Sequence, residues 1–192
     1  EKLAEFEDIT NLENTIVVGV PSTGKSSAIG FAQKLKLPLL DGLVKNPKSN
    51  RTFILGNDRE RNKAASEKYL IDRNIINNRD IFLIDDSIVR GITMKNIIIK
   101  LRENGAKKIH LRVSSPEITG ICYYGVDIPS KEELIANRLS IDMMEKEFNV
   151  ESLRYLSLTD MLSVFPENVR DSFCSGCIDG NYNYNKDIEE LV

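Results

Sequence analysis

IFLIDDSIVRGIT, residues Ile81 to Thr93, sets the reading of the whole chain. Four apolar residues run into two adjacent carboxylates, Asp85 and Asp86. A short turn follows through Ser87, Ile88, Val89, Arg90 and Gly91, and helical spacing begins near Ile92. The pattern predicts a buried strand, a tight loop and a helix. In a parallel α/β sheet, ligands bind at the C-terminal ends of the strands, where the two aspartates fall. Successive backbone N–H groups ahead of a helix N-terminus make an anion nest, and Thr93 adds a hydroxyl. Carboxylates beside such a nest suit a sugar phosphate, accepting from ribose hydroxyls while the nest holds the 5′-phosphate.

Upstream, Thr15 to Val20 (TIVVGV) is a β-branched run of the kind found in central parallel strands. The loop Pro21-Ser22-Thr23-Gly24 follows. A helix is expected over Lys25 to Leu37, with Ala28, Ile29, Ala32 and Leu35 on one side and Pro38 as its stop. Glu1 to Ile9 reads as the end of a helix. Leu39-Leu40 and Leu43-Val44 read as extended pieces broken by Gly42. Lys45 to Arg79 is polar and basic, with only Thr52 to Leu55 reading as a strand, so a mobile loop is expected there. The Asn/Ile-rich run Asn74 to Asn78 reads as compositional drift.

Downstream, Ile92 to Leu101 is a helix ended near Gly105. Lys108 to Val113 is a third strand, with the sole histidine, His110, in a structural setting at its middle. Ser114-Ser115-Pro116 ends that strand at the same edge of the sheet as Asp86. Ser130 to Glu133 reads as a capping box opening a helix through Ala136. Ser140 to Phe148 is a further helix, Leu153 to Leu156 a short strand, and Thr159 the expected cap of a helix from Asp160. The chain then turns irregular after Pro166, with a loosely held tail from Asp179. Strands alternating with helices predict a doubly wound, mostly parallel sheet.

The 192 residues suit a single domain. A net charge of -3 gives no reason to expect a nucleic-acid partner. No stretch approaches the roughly 20 apolar residues of a membrane span. No signal peptide is visible, and because the first residue is Glu1, a fragment or processed product is expected. Three cysteines, Cys122 and the pair Cys174 and Cys177, are too few and odd in number for a disulfide scaffold. An intracellular protein with a metal site fits better.

Gly19 to Ser26 (GVPSTGKS) satisfies the GxxxxGK[ST] pattern of a nucleotide-binding loop, which keeps a P-loop NTPase as a remote alternative. The context after Asp86 favours two separate anion sites. A substrate with phosphate at one end and pyrophosphate at the other fits both.

These residues carry a resemblance. IFLIDDSIVRGIT resembles the phosphoribosyl pyrophosphate (PRPP) motif of type I phosphoribosyltransferases. VVGVPSTGKSSAIGFA, GLVKN (42–46), RTFI (51–54), GAKKIHLRVSSP, YGVDIPSKEELIA and CSGCIDGNY resemble glutamine PRPP amidotransferases over nearly the whole chain. The resemblance implies a type I phosphoribosyltransferase fold as one domain over 1–192, with a flexible loop at about 45–79 and a hood-like, cysteine-containing segment at about 167–192. It implies formation of 5-phosphoribosylamine and pyrophosphate from PRPP and ammonia, the first committed step of purine synthesis, in the cytoplasm. A non-catalytic PRPP-binding module is the alternative.

Residue by residue, the resemblance makes Asp85 and Asp86 the ribose and magnesium ligands. Ser87, Ile88, Val89, Arg90, Gly91 and Thr93 become the 5′-phosphate cradle. Val20, Pro21, Ser22, Thr23, Gly24 and Lys25 become the pyrophosphate loop. Lys45, Arg51, Arg61 and Lys68 become the basic groups of the closing loop. Cys122, Cys174 and Cys177 match three ligands of a [4Fe-4S] cluster whose fourth cysteine lies outside this chain, with zinc or free thiols as alternatives. Ammonia would come from a glutaminase domain or partner outside this chain. A homo-oligomer and purine-nucleotide inhibitors are implied as well. The chain departs from the family at Ser22 (usually an aspartate), at Lys25 (no lysine) and at Ala65-Ser66-Glu67 (usually arginine-bearing).

Overall fold

The computed structural model describes residues 1–8, 12–47, 68–126, 128 and 130–182. A 3-10 turn, Lys2–Phe6, opens the chain. Then come β1 (Thr15–Gly19), α1 (Lys25–Leu35), β2 (Leu43–Lys45), β3 (Tyr69–Ile71), α2 (Arg73–Ile76), β4 (Asp80–Asp85), α3 (Ile92–Glu103) and β5 (Lys108–Val113). A 3-10 turn, Lys131–Glu133, leads into α4 (Ile135–Arg138), α5 (Ile141–Phe148), β6 (Ser152–Tyr155), α6 (Leu158–Ser163), α7 (Glu167–Arg170) and α8 (Gly176–Asp179).

The main sheet is parallel, in the order β1-β4-β5-β6. Leu39 bridges Val17 in parallel on the other side of β1. Pro38 accepts from the Val17 N–H, and the Leu40 N–H donates to the Val17 carbonyl. The chain thus leaves β1 toward one side and returns as β4 on the other. That reversal opens a crevice at the carboxyl ends of β1 and β4, where doubly wound sheets hold ligands.

Side-chain alternation divides the core between the two faces. Val17, Phe82 and Ile84 pack with Ala28, Phe31 and Ala32 of α1 and with Leu3 and Ala4. Ile16, Val18, Ile81, Leu83, Ile109, Leu111 and Val113 pack with Ile97, Ile98 and Leu101 of α3 and with Met144 and Phe148 of α5. β4 therefore needs apolar residues on both faces, which is why IFLI carries no alternation. On the α1 face β5 presents His110 and Arg112. The ring of Phe82 lies 5.3 Å from His110 and 5.4 Å from the Arg112 guanidinium. His110 Nδ1 is 2.8 Å from Ser152 Oγ, a structural setting as expected.

Arg112 is 3% exposed and its partner Glu7 7%. Its Nε and Nη2 donate to the two Glu7 carboxylate oxygens at 2.5 and 2.8 Å, and Arg154 Nη1 donates to Glu7 at 2.9 Å. This clasp ties the first turn of the chain to the far strands of the sheet.

Several local expectations give way to tertiary structure. Helix α1 ends at Leu35, because Lys36 turns left-handed at φ 55°. Ile29 is 47% exposed, and Phe31 takes the core position in its place. The Ser130 box makes no side-chain cap; a 3-10 turn forms and Leu134 breaks it from α4. Ser157, not Thr159, caps α6, accepting from the Asp160 N–H at 3.0 Å. The stretch after Pro166 contains α7 and α8. The Asn74–Asn78 run is built in: Asp72 caps α2, Ile76 is fully buried, and Asn78 sits at φ 58°. The Asn78 N–H donates to the Gly105 carbonyl. Other expectations stand, including the helix ending at Phe148, which Ser140 caps, and the left-handed Gly105 after α3. The expected strand Thr52–Leu55 lies outside the described residues. Among the described residues, no helix is long and apolar enough to cross a membrane.

Candidate active site

β4 delivers Asp85 to the crevice and buries it to 7% exposure. Its Oδ1 accepts from Thr23 Oγ1 at 2.7 Å and from the Asp86 N–H at 2.9 Å. Burial is the main cause that raises its pKa to about 6 and the Asp86 charge adds to it, while the Thr23 and Asp86 donors pull the other way. Asp86 Oδ1 accepts from the Ser87 N–H at 2.7 Å. Among the described residues, no hydrogen bond reaches Oδ2 of either carboxylate. One oxygen of each therefore accepts from no N–H or hydroxyl group and could accept from a ligand hydroxyl or coordinate a hard cation such as magnesium, which prefers oxygen ligands.

Behind the aspartates the chain makes its anion cradle. The N–H groups of Ile88 to Thr93 have no hydrogen-bond partner among the described residues. They end on the N-terminus of α3, whose dipole favours negative charge. Gly91 stands at φ 80°, with Ile135 Cδ1 only 2.7 Å from where a Cβ would be. The positive φ is what calls for glycine there, and the Ile135 and Phe148 side-chain ends add crowding. Ile88 is 3% exposed, so only its backbone can face an anion. The Arg90 side chain is drawn aside to Glu133.

The second loop, after β1, lies directly against the first. The Val20 N–H donates to the Ile84 carbonyl at 2.8 Å. A Cβ on Gly24 would come within 2.1 Å of the Ile84 oxygen and 2.9 Å of Asp85 Cα, so the loop can approach β4 only as glycine. Ser22 holds φ 74°. The N–H groups of Ser22, Thr23, Lys25 and Ser26 have no backbone partner among the described residues, making a second cradle beside the first. Val20 is 1% exposed and can serve only through its backbone. The Lys25 ammonium sits 2.9 Å from the Asp41 carboxylate, both well exposed.

Lys45 and Lys68 flank Tyr69 on the β2–β3 ribbon: Lys45 pairs with Tyr69 across the strands, and Lys68 Nζ is 5.2 Å from the Tyr69 ring centroid. Arg51, Arg61 and Ala65-Ser66-Glu67 lie outside the described residues, as does most of the expected closing loop. Sequence reasoning missed two neighbours of the aspartates. Tyr69, 3% exposed, has its hydroxyl pushed up to about 12 by burial and by the charges of Asp85 and Asp86. Ser114 donates from both its N–H and its hydroxyl to the Asp85 carbonyl, at 3.0 and 3.2 Å, and takes a hydrogen bond from Ser27. The sequence places Ser114-Ser115-Pro116 at this edge of the sheet but gives Ser114 no role. Nothing local marks Tyr69.

The Cys177 carbonyl accepts from the Thr119 and Gly120 N–H groups, each at 2.9 Å. Burial pushes the Cys177 thiol up, and Cys122 and Cys174 add to it as neighbouring charges. Tyr182 holds the same region, donating to the Ile121 carbonyl. Among the described residues no three His, Cys, Asp or Glu side chains are grouped so as to hold a metal ion.

The parallel sheet, with one N–H-lined loop after the aspartate pair and a second beside it, has the type I phosphoribosyltransferase fold. Over nearly nine-tenths of its length the chain is a homologue of amidophosphoribosyltransferases. It is 42% identical over 173 residues to that of Pyrococcus horikoshii, covering 88% of this chain and 37% of the relative. It is 40% identical over 167 residues to that of Synechocystis sp., covering 87% and 34%. The structure of glutamine PRPP amidotransferase from B. subtilis complexed with ADP and GMP superposes with a TM-score of 0.79 at 33% identity, over 96% of this chain and 41% of that one. The chain thus spans about a third of the length of the curated relatives it matches. No family model matches.

Proposed function

We propose that this chain is the PRPP-using part of an amidophosphoribosyltransferase: it joins ammonia to C1 of PRPP, forming 5-phosphoribosylamine and pyrophosphate, the entry to purine synthesis. One observation carries the reading. Among the described residues, a run of unpartnered N–H groups from Ile88 to Thr93 stands directly behind two carboxylates, each with an oxygen that accepts from no N–H or hydroxyl group.

The 5′-phosphate would sit on the N–H groups of the Ser87–Thr93 cradle, and the ribose hydroxyls would donate to Asp85 and Asp86. The pyrophosphate would lie on the Val20–Lys25 loop. As the C1–O bond to pyrophosphate breaks, positive charge develops on the sugar and negative charge on the leaving group. Magnesium on the pyrophosphate, held near Asp85 and Asp86, would supply charge neutralisation. Donors fixed in advance in the second loop stabilise the same anion. Lys45, Arg61 and Lys68, with Arg51, are proposed to add positive charge from the closing loop and to help exclude water. The ammonia nitrogen then bonds to C1 and loses a proton to solvent; no protein nucleophile is needed.

Ammonia would come from a glutaminase domain or partner outside this chain. Cys122, Cys174 and Cys177 are proposed, from the family resemblance of their positions, to give three thiolates of a structural [4Fe-4S] cluster, although the described residues do not group them to hold a metal. Iron and zinc analysis of anaerobically purified protein checks this; neither metal at stoichiometric level would remove it. Purine-nucleotide inhibition, homo-oligomer formation and a cytoplasmic setting belong to the same reading.

Pyrophosphate release from PRPP with magnesium and ammonium tests the function. Wild-type protein should turn over, and Asp85→Asn with Asp86→Asn should lose at least about a hundredfold, as expected when charge-bearing contacts to the reacting sugar are removed. Tight PRPP binding without pyrophosphate release would replace the enzyme with a binding module.

A further inference from the structure

The 5′-phosphate cradle is not held only by its own strand and helix. The Val89 carbonyl, in the middle of the loop, accepts from the Ile135 N–H at 2.9 Å. The Ile135 side chain, 3% exposed, lies against Gly91, with Cδ1 at 2.7 Å from where a Cβ would stand. Glu133, two residues earlier, takes the Arg90 guanidinium. Three consecutive residues at the centre and end of the cradle thus meet one short segment more than forty positions away in sequence.

That segment is itself fixed. Asn137 donates from Nδ2 to the Lys131 and Thr119 carbonyls, each at 2.9 Å. Thr119 is held in turn by the Cys177 carbonyl. Leu134, fully buried, pins the segment to the core.

Resting on the reading of Ser87–Thr93 as a phosphate cradle, we propose that Ile135 is a positioning residue for that cradle. Its N–H fixes the Val89 peptide and so the direction in which the neighbouring N–H groups point, with Asn137 setting where Ile135 sits. An anion bound by several backbone donors is sensitive to their alignment, because hydrogen bonds weaken steeply as the angle departs from linear. A loop released at Val89 would still form but would hold the phosphate less well. Chemistry at C1, at the other end of the sugar, would be left intact.

The local backbone allows a clean test. Ile135 is the first residue of α4, where proline is well tolerated. Leu134 is extended at φ -71° and ψ 122°, as a residue before proline must be. Ile135→Pro therefore removes the N–H donor with little other disturbance, while Ile135→Ala keeps the donor and removes the side chain. Relative to Ile135→Ala, Ile135→Pro should raise the KM for PRPP about tenfold with kcat within about twofold, the size of one hydrogen bond lost from binding. Backbone 15N order parameters in residues 88–93 should be lower in Ile135→Pro than in Ile135→Ala and equal in β1 and β4. Equal KM and equal loop order parameters in the two variants would overturn the proposal, as would equal losses in kcat and in order throughout the sheet. If the wild type fails to use or bind PRPP, the functional reading falls, and the order-parameter comparison still decides whether Ile135 positions the loop.

Discussion

Burial raises the Asp85 carboxyl to about 6 against an ordinary value of 3.8, so the ligand-free fold favours its neutral form. The sign of the linkage follows. Stability from this group is fully present below about 4 and is lost as pH rises through about 6. Asp85→Asn should therefore melt higher than wild type above that range, with the difference closing toward pH 4, while catalysis is lost. Thermal melts across pH 4 to 8 check this; an Asp85→Asn protein less stable than wild type at pH 8 would contradict it. Saturating magnesium and PRPP should narrow the gap, because ligands of the ionised form stabilise only the protein that keeps the carboxylate. At the same scale, Gly24→Ala should be among the most damaging single changes. Its Cβ would overlap the backbone of β4, and neither partner is a flexible side-chain end. A loss above about 3 kcal/mol in urea unfolding is expected, as for other forced backbone clashes.

At the scale of elements, helix α6 separates local signal from observed structure. Both Ser157 and Thr159 are residues that cap helices, and the sequence offers no sure choice between them. The chain leaves β6 extended, and Ser157, at φ -70° and ψ 155°, is the first residue able to turn its hydroxyl onto the Asp160 N–H. Ser157→Ala should cost about 1 kcal/mol, and Thr159→Ala less than about 0.5. Equal costs in denaturant unfolding would overturn the assignment. The Ser130 box failed for a related reason: Leu134 is drawn fully into the core, and the helix must begin again after it. Burial of one side chain outweighed a local capping preference worth about 1 kcal/mol.

At the scale of the molecule, the Glu7 clasp joins the start of the chain to β5 and β6. Removing one partner of a buried ion pair leaves the other charge without compensation. Glu7→Ala should cost about 3 kcal/mol or more, whereas joint replacement of Glu7 and Arg112 by methionine should cost much less. Chemical unfolding of the two variants measures the difference. A Glu7→Ala loss below about 1 kcal/mol would mean that solvent reaches the pair freely.

The sequence by itself determined the strand Ile81–Asp85, the aspartate pair at its end, the glycine turn and the helix beyond. Each of these depends on residues adjacent in the chain: apolar runs, adjacent charges, and a glycine where φ is positive. The doubly wound sheet followed from their alternation. Tertiary structure alone decided the order of strands around β1, which opens the crevice, and the approach of Gly24 to Ile84 that sets the two cradles side by side. It alone placed Tyr69 near the aspartates, drew Arg90 to Glu133, and set Ile135 behind Val89. These contacts join residues far apart in sequence, and their partners are chosen by burial and by the hydrogen bonds that burial makes obligatory, so no local pattern records them.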